Sequence, residues 1–188
     1  MNIEGMRLIS IDDNKNNLLI IESYANSMSI NIDSFLNPLE ALETLKSTEY
    51  DLMIVDYMMP ELNGLELIEQ FRKTNTDTPI IMLTAGGDDM ELQINALELG
   101  ANDFLSKPIN AAAFKARIIN MLKLRKSQLM LKDRAYHLQE EVDKAVYKLQ
   151  EREHETLQIL GKSAEYKDPE TKAHTVRVAH YCKVLARL

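Results

Sequence analysis

Five short apolar runs, at residues 8–11, 30–35, 52–55, 80–83 and 103–105, punctuate the first 108 positions, with stretches of helical spacing between them. Leu18, Ile21, Ala25 and Met28 form one such stripe, and Leu65, Ile68 and Phe71 form another. Runs of this length joined by helical segments predict βα units laid side by side, because parallel strands need a long crossover between them. The punctuation agrees. Asn37-Pro38 opens a helix after the second run, and Leu62-Asn63-Gly64 makes a turn before the third helix. Thr78-Pro79 leads into the fourth run, and Gly100-Ala101-Asn102 closes the fourth helix.

The chemistry sits where the runs stop. Asp12 and Asp13 follow the first, Asp56 the third, Thr84 the fourth and Lys107 the fifth. In a parallel sheet all five fall on one edge, beyond the carboxyl ends of the strands, where open sheets bind ligands. A lone carboxylate closing a buried strand is costly unless something uses it. A nucleophilic aspartate, an acidic pair, a hydroxyl and a fixed ammonium are together the parts of a phosphoryl-transfer site. Asp56 would become a mixed anhydride, and a bound Mg²⁺ with hard oxygen ligands best neutralises the charges that oppose its attack. Asp13 and Asp56 are candidates to ligate the ion directly, with Asp12 helping to hold ligands or water. Lys107 balances the phosphoryl charge as a point cation, aimed by a loop that Pro108 stiffens. Taken singly, Asp12 and Asp13 suit helix capping, Lys107 a surface charge and Phe104 core packing. The constellation outweighs the first two of these readings.

Asp12-Asp13, Asp56 with Met59-Pro60 behind it, Thr84-Ala85 and Lys107-Pro108 resemble, in order and spacing, the receiver domains of two-component response regulators of the chemotaxis-regulator type. The resemblance covers about residues 5–125. It implies a flavodoxin-like, doubly wound α/β fold with five parallel strands in the order 2-1-3-4-5. It implies that Asp56 is the phosphoacceptor, fed by a sensor histidine kinase, and that the backbone carbonyl of Met58 joins Asp12, Asp13 and Asp56 around Mg²⁺. Thr84 would pull toward the phosphoryl group, and Phe104 would turn inward with it. Gly86-Gly87 is expected to leave the adjoining loop unusually mobile.

Residues 1–108 carry 6 Lys/Arg against 19 Asp/Glu, a balance of −13, whereas residues 109–188 carry 16 against 10, a balance of +6. So acidic a first part does not suit nucleic acid. Residues 109–160 contain neither Gly nor Pro. With Phe114 at position a, a heptad frame holds from 114 to 159, and ten of its fourteen a and d positions are apolar. A helix of roughly 50 residues would extend about 75 Å and could not bury that stripe on one small domain. A parallel homodimer through residues 114–159 is therefore expected. Arg117, Gln128 and Arg152 are polar positions in its seam. The basic stretch 115–134 is read as a solvated face rather than a membrane or nucleic-acid surface. His137 and His154 fall at outer heptad positions and are expected to be exposed.

Gly161 interrupts the heptad, and a helical pattern resumes after Lys167-Asp168-Pro169. Residues 155–188 are similar to the opening of HD-GYP domains, the cyclic-di-GMP phosphodiesterases that often follow a receiver and a helical linker. The resemblance implies that Glu170 and His174, four residues apart on one helix face, bind metal in the parent protein. Lys172 stands where that family usually has glycine. The His-Asp dyad and Gly-Tyr-Pro loop of the family are not in this sequence, so this chain is not expected to hydrolyse cyclic di-GMP. Iron or other divalent metals belong only to a full-length parent. Three regions are expected: a receiver at 1–125, a helical linker at 110–160, and the start of an HD-GYP-like domain at 161–188. A single cysteine, Cys182, the lack of a secretion signal and the lack of an apolar stretch of about 18 residues point to the cytoplasm, without a membrane span. The alternative reading is a stand-alone receiver or dimerising adaptor with no enzymatic output.

Overall fold

The computed structural model describes residues 5–85, 90–165 and 169–185. The chain divides into two compact units, Met1–Leu131 and Lys132–Leu188. In the first, β1 (Arg7–Ile11), β2 (Asn31–Phe35), β3 (Leu52–Asp56), β4 (Ile80–Ala85) and β5 (Asp103–Lys107) form one parallel sheet in the order β2-β1-β3-β4-β5. This is the doubly wound order expected above. Its direction of winding reverses between β1 and β3, which opens a crevice at the carboxyl ends of those two strands.

Strand alternation sorts the core onto two faces. Ile9, Ile11, Met53, Val55, Ile80 and Met82 pack against Ala41 of α2 (Pro38–Ser47), Leu67, Ile68 and Phe71 of α3 (Gly64–Arg72), and Ala96 of α4 (Met90–Glu98). Leu8, Leu52, Ile54, Ile81, Leu83 and Leu105 face the other way. They meet Ile21 of α1 (Lys15–Asn26) and Phe114, Ile118 and Leu122 of α5 (Ala111–Glu165). Local chemistry fixes the helix starts. Asn37 caps α2 with Pro38 in its first turn, and Asn63 and Glu66 form a reciprocal capping box on α3.

The start of the expected coiled-coil seam needs correction. Phe114 is fully buried in the core of its own domain, Met121 packs against the same cluster, and the buried face continues through Ile118, Leu122 and Arg125. Emptying a site like that of Phe114 costs on the order of 3–5 kcal/mol, so this residue is not available to a second chain. Leu124, Leu131, Leu138, Val142, Leu149 and Ile159 remain exposed. Gly161 ends the heptad but not the helix, because α5 runs on to Glu165. In the second unit, α6 spans Pro169–Leu185 and carries both Glu170 and His174. His137, His154 and His174 are exposed; the Glu170 side chain lies outside the described residues, as do Gly86 and Gly87. No described helix is long and apolar enough to cross a membrane.

Candidate phosphoryl-transfer site

Asp56 is the last residue of β3 and Lys107 the last of β5. Asp12 and Asp13 follow β1 directly, and Thr84 is the penultimate residue of β4. All five therefore lie at the carboxyl rim. Asp12 is fully buried, Asp56 and Thr84 are nearly so, and Asp13 is exposed. Lys107 Nζ bridges two of the acids, at 2.9 Å from Asp12 Oδ2 and 2.7 Å from Asp56 Oδ1. The peptide that joins Lys107 to Pro108 is cis.

Among the described residues one ammonium faces three carboxylates, and the electrostatics follow from that imbalance. Burial pushes the Asp56 carboxyl above the ordinary aspartate value. The Lys107 hydrogen bond opposes this, and the charges of Asp12 and Asp13 reinforce it. For Lys107, burial alone would lower the ammonium, but hydrogen bonds to Asp56 and Asp12 and the charges of both acids hold it above the ordinary lysine value. Asp12, Asp13 and Asp56 each offer an oxygen within 4.8 Å of the others. Such a cluster of hard oxygen donors fits a divalent cation.

Register separates the remaining polar groups. Thr84 pairs with Ser106 and Met82 with Phe104, so Thr84 and Phe104 share the sheet face covered by α2, α3 and α4. Phe104 is half-buried there and packs against that cluster. Asp56 and Lys107 share the parity of Ile54 and Leu105, on the α1–α5 side.

Three contributors escape a reading based on strand ends. Asn14 caps α1, and its N–H donates to Asp12 Oδ1 at 2.8 Å. Asn17 Nδ2 donates to both oxygens of Asp12, at 3.1 and 2.9 Å. Gly64, first residue of α3, lies so close to the site backbone that an added Cβ would sit 2.3 Å from the Asp56 carbonyl oxygen. The helix after Asp56 can approach this closely only through glycine. The available signal is faint: Asn14 and Asn17 are two of three asparagines just after an acidic pair, and Gly64 is already explained by its turn.

A family model for the response regulator receiver domain matches residues 8–119. The cyclic di-GMP phosphodiesterase response regulator RpfG of Xanthomonas campestris pv. campestris is 33% identical over 186 residues, which is 97% of this chain and 49% of that protein. A probable cyclic di-GMP phosphodiesterase of Vibrio cholerae is 32% identical over 96% of this chain and 41% of its own length. The chain thus spans about half the length of the curated relatives it matches. Among solved structures, the receiver domain of the Francisella response regulator 1452 is 30% identical, with a TM-score of 0.59. It covers 63% of this chain and 98% of its own.

Proposed function

Because the chain belongs to the response regulator receiver family, we propose that Asp56 accepts a phosphoryl group from a sensor histidine kinase and that this switches the rest of the protein. The observation that carries the reading is the bridge from Lys107 to Asp12 and Asp56 inside a cluster of three carboxylates. An Asp56 carboxylate oxygen attacks phosphorus, the bond from phosphorus to the donor imidazole breaks, and the imidazole leaves with its electron pair and takes up a proton. Asp12, Asp13, Asp56 and the Met58 carbonyl would hold Mg²⁺, which neutralises the charge that otherwise repels nucleophile from phosphoryl group. Lys107 moves its ammonium onto the new phosphoryl oxygens, and Thr84 donates its hydroxyl to one of them. Phe104, on the same sheet face as Thr84, follows it inward. The test is phosphoryl uptake from a small acyl-phosphate donor: Asp56→Asn is expected to abolish labelling, and a mutant that still labels would refute the assignment.

The output is read from the relatives. Residues 1–125 act as the receiver, 110–160 as the linker and 161–188 as the start of an HD-GYP-like domain. The match to two cyclic-di-GMP phosphodiesterases over nearly the whole chain supports this division. Glu170 and His174 are the metal ligands this domain would contribute. The linker pairs as a parallel homodimer, its seam beginning near Leu124 rather than at Phe114. The protein works in the cytoplasm, away from nucleic acid and membrane. Reading the gene past the Leu188 codon discriminates the outputs: a His-Asp dyad and a Gly-Tyr-Pro motif support the phosphodiesterase. A stop codon there would favour a stand-alone adaptor.

A further inference from the structure

The buried acid Asp12 is held by a side chain that the reaction above leaves unused. Its carboxylate receives four contacts. Oδ1 accepts from the Asn14 N–H at 2.8 Å and Asn17 Nδ2 at 3.1 Å; Oδ2 accepts from Asn17 Nδ2 at 2.9 Å and Lys107 Nζ at 2.9 Å. Asn17 is the third residue of α1, where a polar side chain often turns back to the N–H of the capping residue. Here Asp12 already takes the Asn14 N–H. The Asn17 amide instead lies across both Asp12 oxygens, and only its nitrogen end can face a carboxylate.

Lys107 is shared. It also reaches Asp56 at 2.7 Å, and to follow a phosphoryl group it must leave Asp12 with one donor fewer. A buried carboxylate stripped of its partners is strongly unfavourable. The contacts from Asn14 and Asn17 remain when the lysine goes. We propose that Asn17 is a positioning residue of this site: its amide keeps the buried Asp12 carboxylate aimed at the cation and frees Lys107 to move to the phosphoryl group. The role rests on the reading of Asp56 as phosphoacceptor.

The test measures Mg²⁺ binding to the full chain by isothermal titration calorimetry, with phosphoryl uptake from an acyl-phosphate donor as a second readout and far-UV circular dichroism as the fold control. Asn17→Leu keeps the bulk and deletes the donor. Its Mg²⁺ affinity is expected to fall about ten-fold or more, the usual effect of losing a partner that orients a metal ligand. Asn17→Gln, which retains an amide, recovers most of the loss. A structural role alone would lower the melting temperature and leave the affinity unmoved. A folded Asn17→Leu protein that binds Mg²⁺ like the wild type therefore overturns the proposal. Should Asn17→Leu not fold, Asn17→Ala gives the same comparison with no demand on packing. Wild-type protein that binds no Mg²⁺, or Asp56→Asn that still labels, overturns the reading of the site itself. Normal wild-type behaviour with an unaltered Asn17 variant overturns only the role of Asn17.

Discussion

The two ends of one parallel sheet both carry charge, and they handle it differently. At the amino rim, Arg7 donates to Asp33 at 2.8 Å, Tyr50 donates to the same Asp33 oxygen at 2.7 Å, and the Arg7 guanidinium lies 5.2 Å from the centre of the Tyr50 ring. Asp51 accepts the Arg7 N–H at 2.9 Å. Nearby, Arg72 caps the Gly100 carbonyl at 2.7 Å, and Asn102 accepts the Ile80 N–H at 2.9 Å. Among the described residues there, these donors and acceptors pair with one another. The carboxyl rim instead sets, among the described residues, the three clustered carboxylates against the single ammonium of Lys107. Strain of that kind is tolerated where a ligand relieves it. A balanced rim holds the fold, and an unbalanced rim is free to do chemistry.

The largest effect expected to test this contrast comes from removing the lone cation. Lys107→Met leaves Asp56 nearly buried without a counter-charge, and should cost about 3 kcal/mol in urea unfolding at neutral pH. Arg7→Met, at a half-exposed pair, should cost about 1 kcal/mol or less. The Lys107 folded value is raised, so its contribution is complete below the ordinary lysine value and fades only as pH climbs through the folded one. Equal costs at the two rims would break the comparison.

Next comes backbone approach. Gly64→Ala drives a methyl group against the Asp56 carbonyl, which belongs to a rigid strand end and cannot yield. A loss of about 3 kcal/mol is expected, at the upper end of ordinary overpacking. At the amino rim, a Cβ on Gly100 meets the Arg72 side chain rather than backbone, and the φ of +108° adds its own strain. Gly100→Ala should therefore cost less, about 1–2 kcal/mol. Melting curves that rank the two in the opposite order would show that the close contact at Gly64 is not rigid.

A smaller change, of opposite sign, comes from Asp56→Asn. The wild-type carboxyl is raised above its ordinary value, chiefly by burial, so ionising it costs stability in the folded state. That cost is absent below the ordinary carboxylate value and complete once pH has risen through the folded one. Without Mg²⁺, Asp56→Asn should therefore raise the urea midpoint at neutral pH, and the gain should vanish on acidification through that window. Lys107 keeps Asp12 as a partner in this variant, which is why the loss of one acid is not itself damaging.

The contrast between rims was half visible in the sequence. Strand ends advertise themselves, because a short apolar run that stops at a charged residue fixes both the strand and its direction. The sequence alone therefore places Asp12, Asp13, Asp56, Thr84 and Lys107 on one edge. Asn17 was invisible, since a polar residue in the first turn of a helix looks the same whether it caps a backbone or grips a carboxylate. The Phe114 error has a different origin. Over three turns a heptad stripe and a 3.6-residue stripe differ by too little to separate, and the helix serves its own domain before it leaves it. Burial at Phe114, Ile118, Leu122 and Arg125 steps by four, four and three residues, and exposes Leu124.

The mildest test lies wholly at the balanced rim. Burial raises the Tyr50 hydroxyl to about 12, helped by its hydrogen bond to Asp33 and the charge on that acid, while Arg7 pulls the other way. Spectrophotometric titration should show one tyrosine ionising well after the exposed ones, and Tyr50→Phe should remove that late step. Loss of this hydrogen bond should cost about 1 kcal/mol. The pH dependence follows from a folded value above the unfolded one. The contribution is complete below the ordinary tyrosine value of 10.0 and is lost as pH rises through about 12. If Tyr50 titrates with the exposed tyrosines, Asp33 is not holding it, and the amino rim is less closely matched than its geometry indicates.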